Sequence, residues 1–293
     1  MKQRIWVLAL ALAFCSCEKA IDFKLDQTQP SLVVEATIEN GQPPLVILSS
    51  SFAYFSTISA DILANSFVHN AVITVSNGVK THQLKEYFFT TAANLKVYYY
   101  SIDSANLASA FLGNFNGSYS MTIQVNGKTY TAVTSIPNLA KKIDSIWWKK
   151  APDNPDTSKV VLVARATDPP GYGNYIRYFT KVNSDPFFPG LNSVFDDQIV
   201  DGKTYTLDVE RGVNRNEDLD RENYSFFNRG DTITLKFTNI DKASYDFWRT
   251  MEYSYGSIGN PFSSPTKVLS NVNGALGYFG GYAAQYKTII VPK

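Results

Sequence analysis

Cysteine and histidine are scarce in this chain, with two of each in 293 residues. Both cysteines, Cys15 and Cys17, lie near the start, so the long region after them cannot close an internal disulfide. The same count excludes Cys-His zinc sites and thiol catalysis beyond that point. There is no G-x-S-x-G elbow and no H-E-x-x-H pair, the signatures of hydrolase nucleophiles and zinc peptidases. No basic stripe occurs either: Lys and Arg are scattered singly or in pairs such as Lys141-Lys142 and Lys149-Lys150, so nucleic acid is not an expected partner. Past the first residues no segment approaches the roughly 18 consecutive apolar residues of a membrane helix. No repeat of fixed period and no cofactor motif is present, so no cofactor is expected.

What is present begins with an export signal. Lys2 and Arg4 make a short basic start, and Ile5 to Phe14 form an unbroken apolar run. That run suits the core of a signal peptide and falls short of the roughly 20 residues that cross a bilayer. Ser16, a small residue before Cys17, meets the requirement of a lipoprotein-processing peptidase, whereas bulky Phe14 argues against cleavage before Cys15. The expected lipidation site is therefore Cys17, after a signal peptide over 1–16. Several acyl chains on one cysteine give lasting attachment, since each buried CH2 contributes about 0.8 kcal/mol. Without Lys2 and Arg4 the 27 basic residues become 25 against 26 acidic ones, close to neutral.

Residues 17–30 read as a polar tether ending at Pro30; the thirteen from Glu18 to Pro30, fully extended, span about 45 Å. From Ser31 onward, short runs rich in Val, Ile, Thr, Tyr and Phe alternate with turn residues, the pattern of antiparallel sheet. Asn77-Gly78 and Asn126-Gly127 each suit a two-residue type I′ hairpin turn. The first would place His82 opposite Ile73. The second pairs Val125 with Lys128, Ile123 with Tyr130 and Met121 with Ala132, burying one face and wetting Thr122 and Gln124. The expectation is a mainly β chain: an immunoglobulin-like or fibronectin-like sandwich over 31–138, then a second β-rich domain over 143–293. In the second, Ile143–Lys150, Lys159–Thr167, Asn174–Val182 and Thr232–Thr238 read as strands. Asp201-Gly202 reads as a hairpin pairing Ile199 with Thr204, and the tail to Pro292 as a last strand. One helix is expected, capped by Asp241, carrying Ser244, Phe247, Trp248, Met251 and Tyr255 on one face and ending at Gly256.

Candidate chemistry is thin. His69 and His82 would sit about 13 Å apart along the first hairpin, too far to share a metal. The Asp201-Gly202 hairpin would set Asp197 opposite Thr206 and Asp208 opposite Phe195, with Asp196 and Asp197 on opposite faces. Asn214 to Glu222 offers alternate oxygen ligands, but Leu219 stands where a calcium loop needs glycine and Ser225 where it needs glutamate. No metal is therefore expected there. The aromatic clusters Tyr87-Phe88-Phe89, Tyr98-Tyr99-Tyr100, Trp147-Trp148 and Phe187-Phe188 each offer one ring to a core and one outward.

Several segments taken in order carry a family resemblance. They are Pro30-Ser31-Leu32-Val33-Val34-Glu35, Asn70 to Ser76, Asn126 to Ala132, Ile143-Asp144-Ser145-Ile146, Asn174-Tyr175-Ile176-Arg177 and Gly230-Asp231-Thr232. Tyr245-Asp246-Phe247-Trp248, Asn260-Pro261-Phe262 and Ser270 to Gly274 through Gly277-Tyr278-Phe279 complete the series. Together they resemble the Bacteroidota lipoprotein family catalogued as domain of unknown function 4249, over essentially the whole mature chain. The resemblance implies an outer-membrane lipoprotein found alongside TonB-dependent transporters, and it brings no catalytic residues. Acidic Glu18 and Asp22 are separated by Lys19 and Ala20, so either face of the outer membrane fits.

The favoured expectation is a non-enzymatic accessory or binding lipoprotein, held on the membrane through Cys17. It would serve a TonB-dependent transporter or hold a small-molecule, glycan or peptide ligand. A cell-surface hydrolase drawing on Asp196, Asp197, Asp208 and Asp218 is the alternative, requiring two carboxylates about 5 to 9.5 Å apart. A structural or adhesive surface protein is the third.

Overall fold

The computed structural model describes residues 30–52, 60–91, 94–258, 260, 263–264 and 266–293. Cys17, the signal peptide and the tether up to residue 29 lie outside them. Half-buried alternation builds the first part of the chain: β1 (Leu32–Glu39), β2 (Leu45–Ser50), β3 (Val72–Ser76), β4 (Thr81–Thr90), β5 (Lys96–Ile102), β6 (Gly117–Val125) and β7 (Lys128–Ile136). A second helix not expected from the sequence, the five-residue α1 (Ala60–Ala64), sits between β2 and β3. The rest supplies β8 (Lys142–Lys150), β9 (Lys159–Thr167), β10 (Tyr175–Val182), β11 (Phe188–Phe195), β12 (Thr204–Val209), β13 (Phe227–Asn228) and β14 (Thr232–Ile240). The helix α2 (Lys242–Ser257), β15 (Val272–Asn273) and the fifteen-residue β16 (Leu276–Ile290) follow. The chain is mainly β, as its composition predicts.

Twelve strands form one path in the order β11-β10-β14-β16-β1-β2-β5-β4-β3-β6-β7-β15. The path turns back on itself at β4, whose first residues pair with β3 while Leu84 to Thr90 pair with β5. That return lays β3, β6 and β7 over β1 and β2. Val34, Ala36, Ile38, Val46, Leu48, Ile73, Val75, Met121 and Ile123 close the first core between them. A second core, with Leu162, Ala164, Tyr178, Phe227, Ile233, Leu235 and Phe237, lies between β10–β14 and a small sheet centred on β9. There β8 flanks one edge of β9, while β12 and β13 share the other.

β16 belongs to both sandwiches. It runs parallel to β1 from Val33↔Leu276 to Glu39↔Tyr282 and antiparallel to β14 from Ile240↔Tyr282 to Thr232↔Ile290. Because strand side chains alternate, Phe279 and Ala283 enter the first core while Tyr278 and Tyr282 point to the opposite face, under α2. Glycine lets β16 come close: a Cβ on Gly281 would lie 2.2 Å from the carbonyl oxygen of Ser135. The connection between sandwiches is pinned by side chains. Asn239 both accepts from the Lys141 N–H (2.8 Å) and donates to the Lys141 carbonyl (2.9 Å), and Gln285 bonds Lys141 and Ile143.

The β6–β7 hairpin has the register expected from Asn126-Gly127, with Val125↔Lys128, Ile123↔Tyr130 and Met121↔Ala132. Asn77-Gly78 behaves differently. The Asn77 side chain accepts from the N–H groups of Val79 (3.0 Å) and Lys80 (2.8 Å), widening the turn so that Ser76 pairs with Thr81. His82 therefore faces Val75, two residues from the expected Ile73. The Asp201-Gly202 hairpin does not form. β11 stays in the large sheet while β12 pairs with β9, so Thr204 meets Thr167 rather than Ile199, Asp208 meets Val163 rather than Phe195, and Thr206 meets Arg165 rather than Asp197. The segment between them crosses from one sheet to the other, which lets Leu207 and Val209 reach the second core. Helix α2 starts as expected, with Asp241 accepting from the Ser244 N–H (2.8 Å). Its far end differs: Gly256 stays inside the last turn, which closes when the Ile258 N–H bonds the Tyr255 carbonyl.

Candidate functional site

The same alternation that fills the cores aims a second set of residues at the outer face of the large sheet. From β1 come Glu35, Thr37 and Glu39; from β16, Tyr278 and Tyr282; from β14, Lys236; from β10, Arg177 and Phe179. Register places Glu35 beside Tyr278, Glu39 beside Tyr282 and Phe179 beside Lys236. Helix α2 brings Trp248, Glu252 and Tyr255 over one side, where Arg215 of the 213–216 segment lies on the Tyr255 ring, and Phe187 and Phe188 complete the lining, enclosing a cavity of about 540 Å³. That lies in the range of small-molecule sites.

Arg177 is the centre of this cavity. Only 4% of it is exposed, and its guanidinium carbon sits 3.3 Å from the Trp248 ring centroid and 4.7 Å from that of Phe179. Delocalised charge stacked on aromatic faces is favourable once water is removed. Its Nε donates to Ser193 Oγ (3.2 Å) and its Nη1 to Tyr282 Oη (3.3 Å), which also accepts from Trp248 Nε1 (3.1 Å). Ser193 passes the chain on, donating from Oγ (2.5 Å) and N–H to Glu252. Burial pushes the Glu252 carboxyl above its usual range, opposed by the bonds from Ser193 and by Arg177 and Arg215. At the other end Glu39 holds Lys236 and accepts from the Tyr286 hydroxyl. The ammonium of Lys236 lies 5.3 Å from the Phe179 ring centre and 5.8 Å from that of Tyr286.

Glu35 is the exception to this pairing, forming no hydrogen bond or ion pair among the described residues. Solvent reaches it through the cavity mouth, yet protein surrounds it on nearly every other side. Burial raises its pKa, and the nearby Arg177 charge opposes that shift. Since its folded-state pKa exceeds the unfolded one, ionising Glu35 costs stability as pH rises through that interval. Glu35→Gln is therefore expected to be more stable than the parent at neutral pH. The advantage should vanish below about pH 4, where both states carry a protonated acid. Urea unfolding at both pH values checks this.

The residues singled out in the sequence scatter. His82 is 1% exposed and structural: its Nε2 accepts from the Asp103 N–H (2.9 Å), leaving Nδ1 to donate to Ser109 Oγ (2.8 Å). His69 pairs with Glu86 at 2.5 Å. Asp196 accepts from Tyr245 Oη (3.1 Å) and lines one cavity beside Arg249, while Asp218 lines another. Asp197 is buried and accepts from the Asn174 N–H (2.8 Å), and Asp208 is exposed and ion-paired with Lys149 (2.8 Å). The 214–222 loop is closed by its own bonds, such as Asn214 Nδ2 to Glu217 (2.6 Å) and Asn223 Nδ2 to Asp220 (3.1 Å). Of the aromatic clusters, Phe187-Phe188 reaches the cavity, Tyr99 stacks across strands on Tyr87, and Tyr98 tilts against Phe88. Sequence reasoning missed Arg177, Glu252 and Glu35 as a group. The available signal was a lone arginine amid the apolar and aromatic residues of a strand (Tyr175-Ile176-Arg177-Tyr178-Phe179), which demands a buried partner.

No curated protein matches the chain. A family model does, over residues 18–288, which takes in every strand except the last two residues of β16. The chain thus belongs to the family described as domain of unknown function (DUF4249).

Proposed function

We propose that this protein is a non-enzymatic binding lipoprotein, anchored in the outer membrane through lipid on Cys17, that captures a nutrient for a TonB-dependent transporter. The observation that carries the binding part is the cavity around Arg177. Its aromatic walls and polar groups are already held in place by one another, so a ligand would meet them without rearrangement. Glu35, with no hydrogen-bond or ion-pair partner among the described residues, is the group left to receive a donor or a positive charge. A sugar or short peptide fits this chemistry, since rings such as Tyr255 and Phe187 offer apolar faces while Glu35 and Arg215 offer polar contacts. The membrane anchor and the transporter rest on the signal-like start, the polar tether and the resemblance of the chain to lipoproteins of that setting.

Two measurements test the proposal. Tryptophan fluorescence of the full chain, titrated with glycan and peptide panels, should saturate with one class, and Glu35→Gln should weaken that binding at least tenfold, about 1.4 kcal/mol. A panel that never saturates, or binding indifferent to Glu35→Gln and Phe187→Ala, removes the cavity from consideration. Co-purification in mild detergent should recover a transporter barrel in stoichiometric amount. Recovery of the protein alone overturns the partnership.

A further inference from the structure

We propose that Asp168, Asp197 and Asp201 form a divalent-cation site, of the calcium type, at the junction of the two sandwiches. Asp168 follows β9, Asp197 follows β11, and Asp201 lies in the crossing segment before β12. One carboxylate oxygen from each lies within 4.8 Å of the other two. Three points so spaced share a centre roughly 2.8 Å or less from each, a few tenths from the 2.3–2.6 Å of calcium–oxygen bonds. Magnesium, at about 2.0–2.1 Å with strict octahedral demands, would require a larger contraction.

Acidic groups often gather without an ion, and the state of Asp168 sets this cluster apart. Asp168 is 1% exposed, and among the described residues neither carboxylate oxygen accepts a hydrogen bond of good geometry, the Lys141 ammonium and the Gly202 N–H acting on it only from longer range. A buried carboxylate left so is costly, and proteins supply such groups with donors or with a metal. The nearest cation, the fully buried Lys141, stands 3.5 Å from Asp168 Oδ1 and also donates to the Asp196 carbonyl (3.3 Å). It brings one positive charge against three negative ones. Two charges remain to be balanced around the buried Asp168 and Asp197, with Asp201 at the edge of the site, and a divalent ion balances them. Asp197 and Asp201 are already aimed, since each has one oxygen fixed by a backbone N–H, from Asn174 (2.8 Å) and Gly171 (2.6 Å). Burial also raises the Asp168 pKa, with Lys141 opposing and Asp197 adding to the shift, as a cluster short of positive charge should show.

Bound there, the ion would tie the loop after β9 to the crossing segment and, through Lys141, to the connection between sandwiches. With three carboxylates and water completing the shell, the affinity should resemble that of extracellular calcium modules, about 10⁻⁴ to 10⁻³ M.

The test uses the full chain in mild detergent, stripped with chelator. Calcium at tenfold excess over Kd should raise Tm by about 4 °C, and magnesium at the same level should do much less. Terbium should emit when tyrosine is excited, through Tyr205 beside Asp168, and calcium should displace it. Asp168→Asn, which keeps shape and removes charge, should abolish both signals; should it fail to fold, the half-exposed Asp201→Asn decides. No calcium-dependent Tm shift and no displaceable terbium signal in the parent overturns the site, as does an Asp201→Asn variant that keeps both signals in full.

Discussion

A chain ended after Asn273 is expected to lose its cooperative thermal transition entirely, the first sandwich included, although residues 31–138 read as a self-contained run. The missing strand β16 is the parallel partner of β1 along seven residues and the antiparallel partner of β14 along nine. It delivers Phe279, 0% exposed, to the first core, and buried Tyr278 and Tyr282 to the packing beneath α2. At about 1.5–3 kcal/mol for each large apolar side chain, those three alone approach the roughly 5–15 kcal/mol that separates a folded domain from its unfolded state. Removing the strand also bares the edge of β1, whose backbone groups would lose their partners. Circular dichroism melting of the full and shortened chains checks this. A surviving transition of about half the amplitude would mean that the first sandwich stands alone. The same dependence should appear in a single substitution. In Gly281→Ala the new methyl group collides with backbone at Ser135 rather than with a movable side chain, and a cost of about 3 kcal/mol is expected from such overpacking.

Replacing Arg177 by methionine should destabilise the protein by about 3–5 kcal/mol while leaving the volume nearly filled. Removing one member of a buried charged network leaves the others uncompensated. Here the main survivor is Glu252, whose carboxyl is already raised in pKa by burial and moderated by the Arg177 charge. The stack on Trp248 and the bonds to Ser193 and Tyr282 vanish together. Lysine should not rescue the loss, since a point charge on a flexible stem can neither stack as a plane nor serve both acceptors. Adding Glu252→Gln to Arg177→Met should recover part of the stability, because it removes the charge that lost its counterpart. Urea unfolding of the two single variants and the double variant measures this coupling, and strict additivity would mean that the two residues do not communicate.

The elements most legible beforehand are those whose determinants are local. The β6–β7 hairpin follows from Asn126-Gly127 and the alternation on either side, and its register needs nothing from elsewhere. β9 spans Lys159–Thr167 as its run of β-branched residues suggests, and α2 begins at its own cap. Where a local signal misled, a competing local or distant bond prevailed. The Asn77 side chain captured two backbone N–H groups and widened its turn. Asp201-Gly202 has the chemistry of a hairpin, with Gly202 at φ +67°, but β9 offered β12 six residues of pairing and an apolar face to bury. The candidate cavity was the least legible feature. Its walls come from β1, β10, β14, β16 and α2, and Glu35 and Arg177 meet across a separation of more than 140 positions.

Residue order along the chain is enough to specify sheet, the starting points of most strands and of the long helix, and the family. Each of those depends on alternation, turn chemistry or residue order along a short stretch. Long-range packing is what makes the last strand complete both sandwiches, lines a cavity with one face of β1 and β16, and brings Asp168 to Asp197 and Asp201. Alternation tells that a strand has two faces, but what covers each face depends on which distant strand wins the edge beside it. That contest is settled by burial and backbone pairing summed over the whole fold.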